Sequence, residues 1–352
     1  MSGHPQNGTQ RVAGHAQRGI RMVLRAGGCT LPAAGLLLAA LPLAGCKPPK
    51  ADATAADKRP LVLCTTTMIT DLARTLGGDR INVVGIMPPG TDPHTYEPRP
   101  DDTILMRRAH LIFYNGLHLE GRMVQMFENA GAKAVALAED PRIELRESGT
   151  AAGAPDPHCW WNARFFRVYA ERARDALIQM DPSGAAAYRT AADGYFAQLD
   201  EVDAQIRAAV ARIPPERRYL ITSHDAFAYY GKAYGLHVDA VLGISTDASV
   251  RALRPDELAR LVVERRIPAI FHETSVSAAL NQVVDRVVEL AAKRGHTVVV
   301  PPTPLYSDSL GPPDSPVGTY LGALRENTRI IVSALSGADV SALLAPKGAG
   351  GG

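Results

Sequence analysis

Residues 182–215 read PSGAAAYRTAADGYFAQLDEVDAQIRAAVARIPP. Apolar side chains recur at Tyr188, Ala192, Tyr195, Leu199, Val202, Ile206, Val210 and Ile213, a spacing of three and four that marks one continuous helical face. Asp181 can cap the start, with Pro182 at the first helical position, where its fixed φ is already suitable. Gly194 costs about 1 kcal/mol relative to alanine, yet the stripe continues through it. Pro214 and Pro215 end it. About thirty residues at 1.5 Å rise make a rod of roughly 45 Å, long enough to run the length of a two-lobed molecule.

On either side of this rod, short apolar runs alternate with helical patterns. Before it, strand-like runs at 61–66, 81–87, 110–115 and 132–137 alternate with helix-like runs at 69–76, 101–108 and 119–129, and a further helix runs over 160–179. After it, strands are expected at 219–222, 237–242, 269–272 and 297–300, and helices at 226–234, 255–265, 278–294 and about 316–335. This rhythm implies an α/β fold of two lobes with mainly parallel sheets, linked by one long rigid helix. The expected boundaries are an N-terminal lobe over 60–182, the linking helix over 183–215, and a C-terminal lobe over 216–336.

The ends of the chain read differently. Arg18, Arg21 and Arg25 precede an apolar run from Leu31 to Leu43 that closes in Leu43-Ala44-Gly45-Cys46. The run is short for a membrane span and carries Pro32 and Pro42, so residues 1–45 are read as an export signal. Residues 46–59, rich in proline, alanine and charge, read as a flexible tether, and residues 337–352 as a disordered tail. The formal charge of +2 over 352 residues conceals four arginines and no acids in the first 45. Without them 34 basic residues face 36 acidic ones, which gives no basis for nucleic-acid binding.

The chemistry sits in four loops. His94 in Asp92-Pro93-His94, His158 in Asp156-Pro157-His158, His224 in Ser223-His224-Asp225 and Asp308 in Tyr306-Ser307-Asp308 each follow a strand-like segment. Ligands in open α/β sheets bind beyond the carboxyl ends of strands, where these four would gather in the interlobe cleft. Three neutral imidazoles and one carboxylate suit a divalent transition metal and would leave the complex at +1. Affinity should therefore fall as the pH approaches 6 and the imidazoles protonate. Prolines flank the His94 and Asp308 loops and restrict both themselves and the residues before them.

Other titratable residues carry two readings each. Glu273, at a strand end beside the cleft, can accept a hydrogen bond from a metal ligand or simply cap a neighbouring element. Asp225 can cap the helix after it. Cys64 and Cys159 can form a disulfide in an oxidising compartment. Cys159, beside His158, can offer a thiolate to zinc or be a small buried apolar residue, the more ordinary outcome. His110, His118, His237, His272 and His296 are read as packing or surface residues.

The run Thr65-Thr66-Thr67-Met68-Ile69-Thr70-Asp71-Leu72, the stretch Pro89-Gly90-Thr91-Asp92-Pro93-His94-Thr95-Tyr96-Glu97-Pro98, Asn115-Gly116-Leu117, Asp156-Pro157-His158, Ser223-His224-Asp225-Ala226-Phe227 and Leu305-Tyr306-Ser307-Asp308-Ser309-Leu310-Gly311 together resemble the TroA-like solute-binding proteins of zinc- and manganese-type ABC importers. The resemblance covers residues 60–336. It implies two lobes bridged by one rigid helix, with a metal held between them by His94, His158, His224 and Asp308. Leu-Ala-Gly-Cys is similar to a bacterial lipobox, which implies lipidation of Cys46 and a protein anchored to a bacterial membrane in the periplasm or at the cell surface.

The implied function is a monomeric receptor that captures zinc or manganese, iron less readily, and delivers it to an ABC permease and its ATPase. Manganese-selective members often carry glutamate where this chain has His224, and zinc-dedicated members often carry a histidine-rich loop that residues 139–157 lack. Imidazole favours zinc on raw affinity. Two other functions compete: a secreted zinc hydrolase, for which a helical His-Glu-x-x-His is missing from the sequence, and a metal-binding surface adhesin.

Overall fold

The computed structural model describes residues 57–147, 153–247 and 254–346. The expected export signal, Cys46, most of the tether and residues 347–352 lie outside the described residues.

The first lobe is built on four parallel strands, β1 (Leu61–Cys64), β2 (Asn82–Gly85), β3 (Leu111–Tyr114) and β4 (Ala134–Ala136), in the order β2-β1-β3-β4. Helices α1 (Thr67–Gly77), α2 (Pro100–Arg108) and α3 (Val124–Ala130) alternate with them. The period of two in β1 sorts its side chains: Val62 and Cys64 enter a core with α1, whereas Leu63 faces Met106, Ile112, Met123 and Phe127 on the other side. A parallel strand covered on both faces must be apolar on both, which is why Leu-Val-Leu-Cys has no polar alternation. Thr66 starts α1 by accepting the Ile69 N–H on its hydroxyl.

Helix α4 (Ala163–Met180) leads to the rod, α5 (Ala185–Val210), whose 26 residues span about 39 Å. Its buried residues include Tyr188, Ala192, Tyr195, Leu199, Val202, Ile206 and Val210, the expected stripe. Asp181 does not cap it: a short 3-10 turn, Pro182–Gly184, intervenes, and the Asp181 carboxylate instead takes Arg80, Ser183 and the Tyr188 hydroxyl. A charged partner far away in sequence outcompetes the local backbone amides.

The second lobe has two full parallel strands, β5 (Tyr219–Thr222) and β6 (His237–Ala240), with helices α6 (Ala228–Tyr234), α7 (Pro255–Glu264), α8 (Ala278–Lys293) and α9 (Tyr320–Ser336). The strands expected at 269–272 and 297–300 are present only as isolated parallel bridges, Ala269 to Val299 and Glu273 to Leu305, although Phe271 N–H still donates to Ile221 O at 2.9 Å. Pro268, Pro301, Pro302 and Pro304 remove the N–H groups a continuous ladder would need.

One apolar core runs through both lobes. Val62, Leu72, Phe166, Tyr169, Leu199, Ile206, Phe227, Tyr230, Tyr320 and Ile331 belong to it, so α4, α5 and α9 form a layer shared by the two sheets. A smaller core of Ile221, Val241, Val262, Ile270 and Val287 belongs to the second lobe alone. The expected disordered tail from residue 337 fails over its first part: Val340 and Leu344 are buried, and α10 (Ser341–Leu344) packs on α5 and α9. Their apolar side chains close the end of the shared layer. Among the described residues no helix is long and apolar enough to cross a membrane.

Candidate metal centre

Each of the four expected residues sits on a loop at the same end of a sheet. His94 lies on the proline-rich loop between β2 and α2, and His158 on the approach to α4. His224 follows β5 by two residues, and Asp308 follows the bridge at Leu305 by three. The loops are fastened to one another. Gly90, at φ +79° where only glycine is comfortable, donates its N–H to Ser309 Oγ at 2.8 Å, and Leu310 N–H donates to Thr67 Oγ1 at 2.8 Å. Trp160 and Trp161 both donate their indole N–H to Ser307 O, at 3.1 and 2.9 Å. These bonds tie the Asp308 loop to the first lobe.

The structure brings His94, His158, His224 and Asp308 together, with one donor atom from each lying within 4.8 Å of the others. His94 Nε2 is 3.1 Å from His158 Nε2, and Asp308 Oδ2 is 3.1 Å from His224 Nε2. Asp308 Oδ1 is 3.5 Å from His158 Nε2, and Asp308 Oδ2 is 3.8 Å from His94 Nε2. Donors placed tetrahedrally about 2.0–2.1 Å from a zinc ion would be separated by about 3.3 Å, so these spacings fit one small cation. The His94 side chain is 6% exposed and the other three are fully buried. His224 Nε2 and both Asp308 carboxylate oxygens are buried with no hydrogen-bond partner. Leaving such groups unpaired is costly, and a cation at their common centre removes that cost.

Two carboxylates stand behind imidazoles, and a third holds the main chain of a ligand. Asp156 Oδ1 accepts from the His158 N–H at 3.1 Å and faces His158 Nδ1 at 2.7 Å, which turns Nε2 inward. Glu273 Oε1 accepts the His224 N–H at 2.7 Å, and Oε2 lies 2.5 Å from His224 Nδ1. Of the two readings open for Glu273, the structure therefore gives contact with His224. Asp92 Oδ1 accepts the His94 N–H at 2.9 Å, while its other oxygen takes Thr246 Oγ1 at 2.6 Å from the second lobe.

Burial and charge act in opposite senses here. Burial pushes His94 down to about 3, although Asp308 opposes it. Burial also works against a charged His224, but Asp308 and Glu273 outweigh it and raise that imidazole well above its ordinary value. Asp308 feels the desolvation of its site, yet the surrounding imidazoles hold it well below the usual carboxylate range. Asp308 and His224 thus each favour the other's charged form. A divalent ion held by these four residues would favour the Asp308 carboxylate in the same way and would compete with a proton for His224 Nε2.

Other expectations resolve away from the site. Cys64 and Cys159 are both free, so the disulfide does not form. The Cys159 thiol is buried and pushed up to about 12 by desolvation, outside the donor cluster, as a small packing residue. Asp225 does not cap α6, whose first turn follows Phe227; its carboxylate pairs with Arg146 at 2.7 Å. Residue-by-residue reading gave no role to Asp92, Asp156 or Arg146. The repeated Asp-Pro-His was the available signal for the two aspartates, since an aspartate two residues before an N–H commonly accepts from it.

A family model described as "Zinc-uptake complex component A periplasmic" matches residues 62–334. The manganese-binding lipoprotein MntA of Bacillus subtilis is 36% identical over 305 residues, 86% of this chain and 98% of that protein. The zinc-binding protein TroA of Treponema pallidum is 33% identical over 283 residues, 80% of this chain and 91% of that one. The iron-binding protein YfeA of Yersinia pestis is 32% identical over 265 residues, 75% of this chain and 82% of its own length. The solved structure of the periplasmic zinc-binding protein TroA from Treponema pallidum matches with a TM-score of 0.73 at 33% identity, over 79% of this chain and 99% of that one. By sequence and by fold, the chain belongs to the zinc-uptake complex component A family, the TroA-like solute-binding proteins of zinc- and manganese-type ABC importers.

Proposed function

We propose that this chain is an extracytoplasmic receptor that captures a divalent transition metal, zinc or manganese, and delivers it to an ABC permease and its ATPase. The carrying observation is the convergence of four donors from both lobes on one point, with buried oxygens and a nitrogen that have no other partner. His94, His158, His224 and Asp308 act as the ligands, and Glu273 orients His224. A set of four protein donors leaves no vacant position for the water a hydrolase needs, which supports a carrier over an enzyme. Imidazole-rich chemistry favours zinc, the manganese- and zinc-binding relatives support either metal, and the iron-binding relative makes ferrous iron worth including in a competition series. Cys46 is the site of lipidation, residues 46–59 tether a monomer to the membrane, and the mature protein works in the periplasm or at the cell surface. The lobes extend over 60–182 and 216–336, with 183–215 between them.

Calorimetric titration with zinc, manganese and ferrous iron, beside a hydrolase screen, tests this reading. The expected result is one tight site per chain and no turnover. His224→Ala should weaken binding by about 1000-fold or more, equivalent to about 4 kcal/mol, while the circular dichroism of the fold persists. An unchanged dissociation constant would remove His224 from the ligand set. Turnover abolished by a chelator would instead establish an enzyme. Elemental analysis of the protein from its native compartment identifies the cargo.

A further inference from the structure

Arg146 lies in the segment between β4 and α4, which the sequence leaves without pattern. One guanidinium nitrogen, Nη1, donates to Asp156 Oδ2 at 2.9 Å, and the other, Nη2, donates to Asp225 Oδ2 at 2.7 Å. Asp156 is the buried carboxylate that faces His158 Nδ1, and Asp225 directly follows His224. The main chain of the same residue is engaged as well. Arg146 N–H donates to the Tyr229 hydroxyl at 2.9 Å, that hydroxyl donates to Asp156 O at 2.9 Å, and Asp156 N–H donates to Arg146 O at 2.8 Å. Tyr229 belongs to α6, in the second lobe.

The arrangement joins the back of one ligand to the flank of another. We propose that Arg146 is a positioning residue that fixes His158 and His224 relative to each other across the cleft. It does so by holding Asp156 with one arm of its fork and Asp225 with the other. The inference rests on the metal-receptor reading above. The Arg146 side chain is 42% exposed, so water screens its charge and a bare ion pair there would count for little. Its leverage comes through Asp156, which is fully buried and has His158 as its other partner. A guanidinium fork reaches two carboxylates at once in a fixed plane, which a single ammonium does not reproduce. Because Asp225 and Tyr229 belong to the second lobe and Asp156 to the first, this one residue links the back of His158 to the flank of His224.

Zinc release into a chromogenic chelator, followed by stopped flow on the full-length protein, tests the proposal. Arg146→Met should release zinc about 10- to 100-fold faster than the unaltered protein, the range typical of losing a group that orients a metal ligand. Its association rate should change far less, because most affinity changes within one site appear in dissociation. Asp225→Asn should shift release in the same direction. The double variant should be no faster than the quicker single one, since both cut the same link. Arg146→Lys should recover part of the loss.

Nitrogen NMR of the His158 ring supplies an independent reading in metal-free protein. Arg146→Met should convert a ring protonated at Nδ1 into a mixture of tautomers. Equal release rates for Arg146→Met and the unaltered protein would overturn the proposal, as would strictly additive effects of the two substitutions. If Arg146→Met does not fold, Asp225→Asn decides alone: faster release upholds the link, and an unaltered rate refutes it. If the unaltered protein binds no metal, the receptor reading fails. The His158 ring then still decides the positioning role, upheld by a tautomer shift and overturned by an unchanged spectrum.

Discussion

The two Asp-Pro-His tripeptides are identical in sequence and share one hydrogen bond, yet they hold their histidines to different degrees. In each, the aspartate accepts the N–H of the histidine two residues on, at 2.9 Å for His94 and 3.1 Å for His158. There the likeness ends. Asp156 also faces the His158 ring, and although burial pushes its pKa up, His158 and, to a smaller extent, Arg146 bring it below the usual value. At Asp92 burial wins over the nearby His224. Burial and the nearby Asp308 raise its pKa, and its free oxygen turns to Thr246 in the other lobe. A short motif dictates a turn, but the partners supplied by the rest of the fold dictate whether that turn aims a side chain. His158 is pre-aimed from behind, whereas His94 is aimed chiefly by its proline-flanked loop and retains slight exposure.

The comparison ranks the substitutions. His158→Ala should weaken zinc binding by about 1000-fold or more, and His94→Ala by about tenfold less, measured by competition with a chelator of known affinity. The order reverses if His94 is the better-anchored donor. Asp156→Asn should reduce affinity by about 10- to 100-fold, because the amide orients the ring less strongly than a carboxylate does. Thr246→Val removes only the partner of the unshared Asp92 oxygen and should alter affinity by less than about fivefold, because Thr246 touches neither a ligand nor the carboxylate oxygen that holds His94. A larger loss for Thr246→Val than for Asp156→Asn would mean that closure of the lobes, and not orientation of the ring, controls the site.

What could be read from the sequence follows the same division between local and distant causes. The rod at Ala185–Val210 and the strand at Tyr219–Thr222 were legible because apolar periodicity is set by residues within a few positions of one another. The candidate donors were legible because chemistry-bearing residues sat at corresponding ends of strand-like runs. Asp181 and Asp225, each able by its position to cap a helix, are drawn off by Arg80 and Arg146, which lie 101 and 79 residues away. Arg146 itself carried no local signal, and neither did the fate of Cys64 and Cys159. The weakly paired strands near 269 and 299 fell to prolines whose missing N–H groups matter only once a neighbouring strand is known.

Another aspartate, only partly exposed, shows what happens when burial outweighs a nearby arginine. Asp71, on α1, accepts the Tyr320 N–H at 2.8 Å at the start of α9, and burial pushes it up to about 6, with that bond and Arg74 in partial opposition. Its pKa is higher in the folded chain than in the unfolded one, so between about pH 4 and 6 the folded state keeps a proton that the unfolded state has lost. Stability from this group is present at low pH and is lost as pH rises through 6. Asp71→Asn keeps an oxygen for Tyr320 and removes the buried charge. The variant should match the unaltered protein near pH 4 and exceed it by up to about 3 kcal/mol above pH 7, measured by urea denaturation across that range. Zinc affinity should not change, because Asp71 lies outside the donor cluster. A variant that is less stable at pH 7 would show that the charge on Asp71 strengthens its bond to α9 by more than burial opposes it, which would place Asp71 with Asp156 rather than with Asp92.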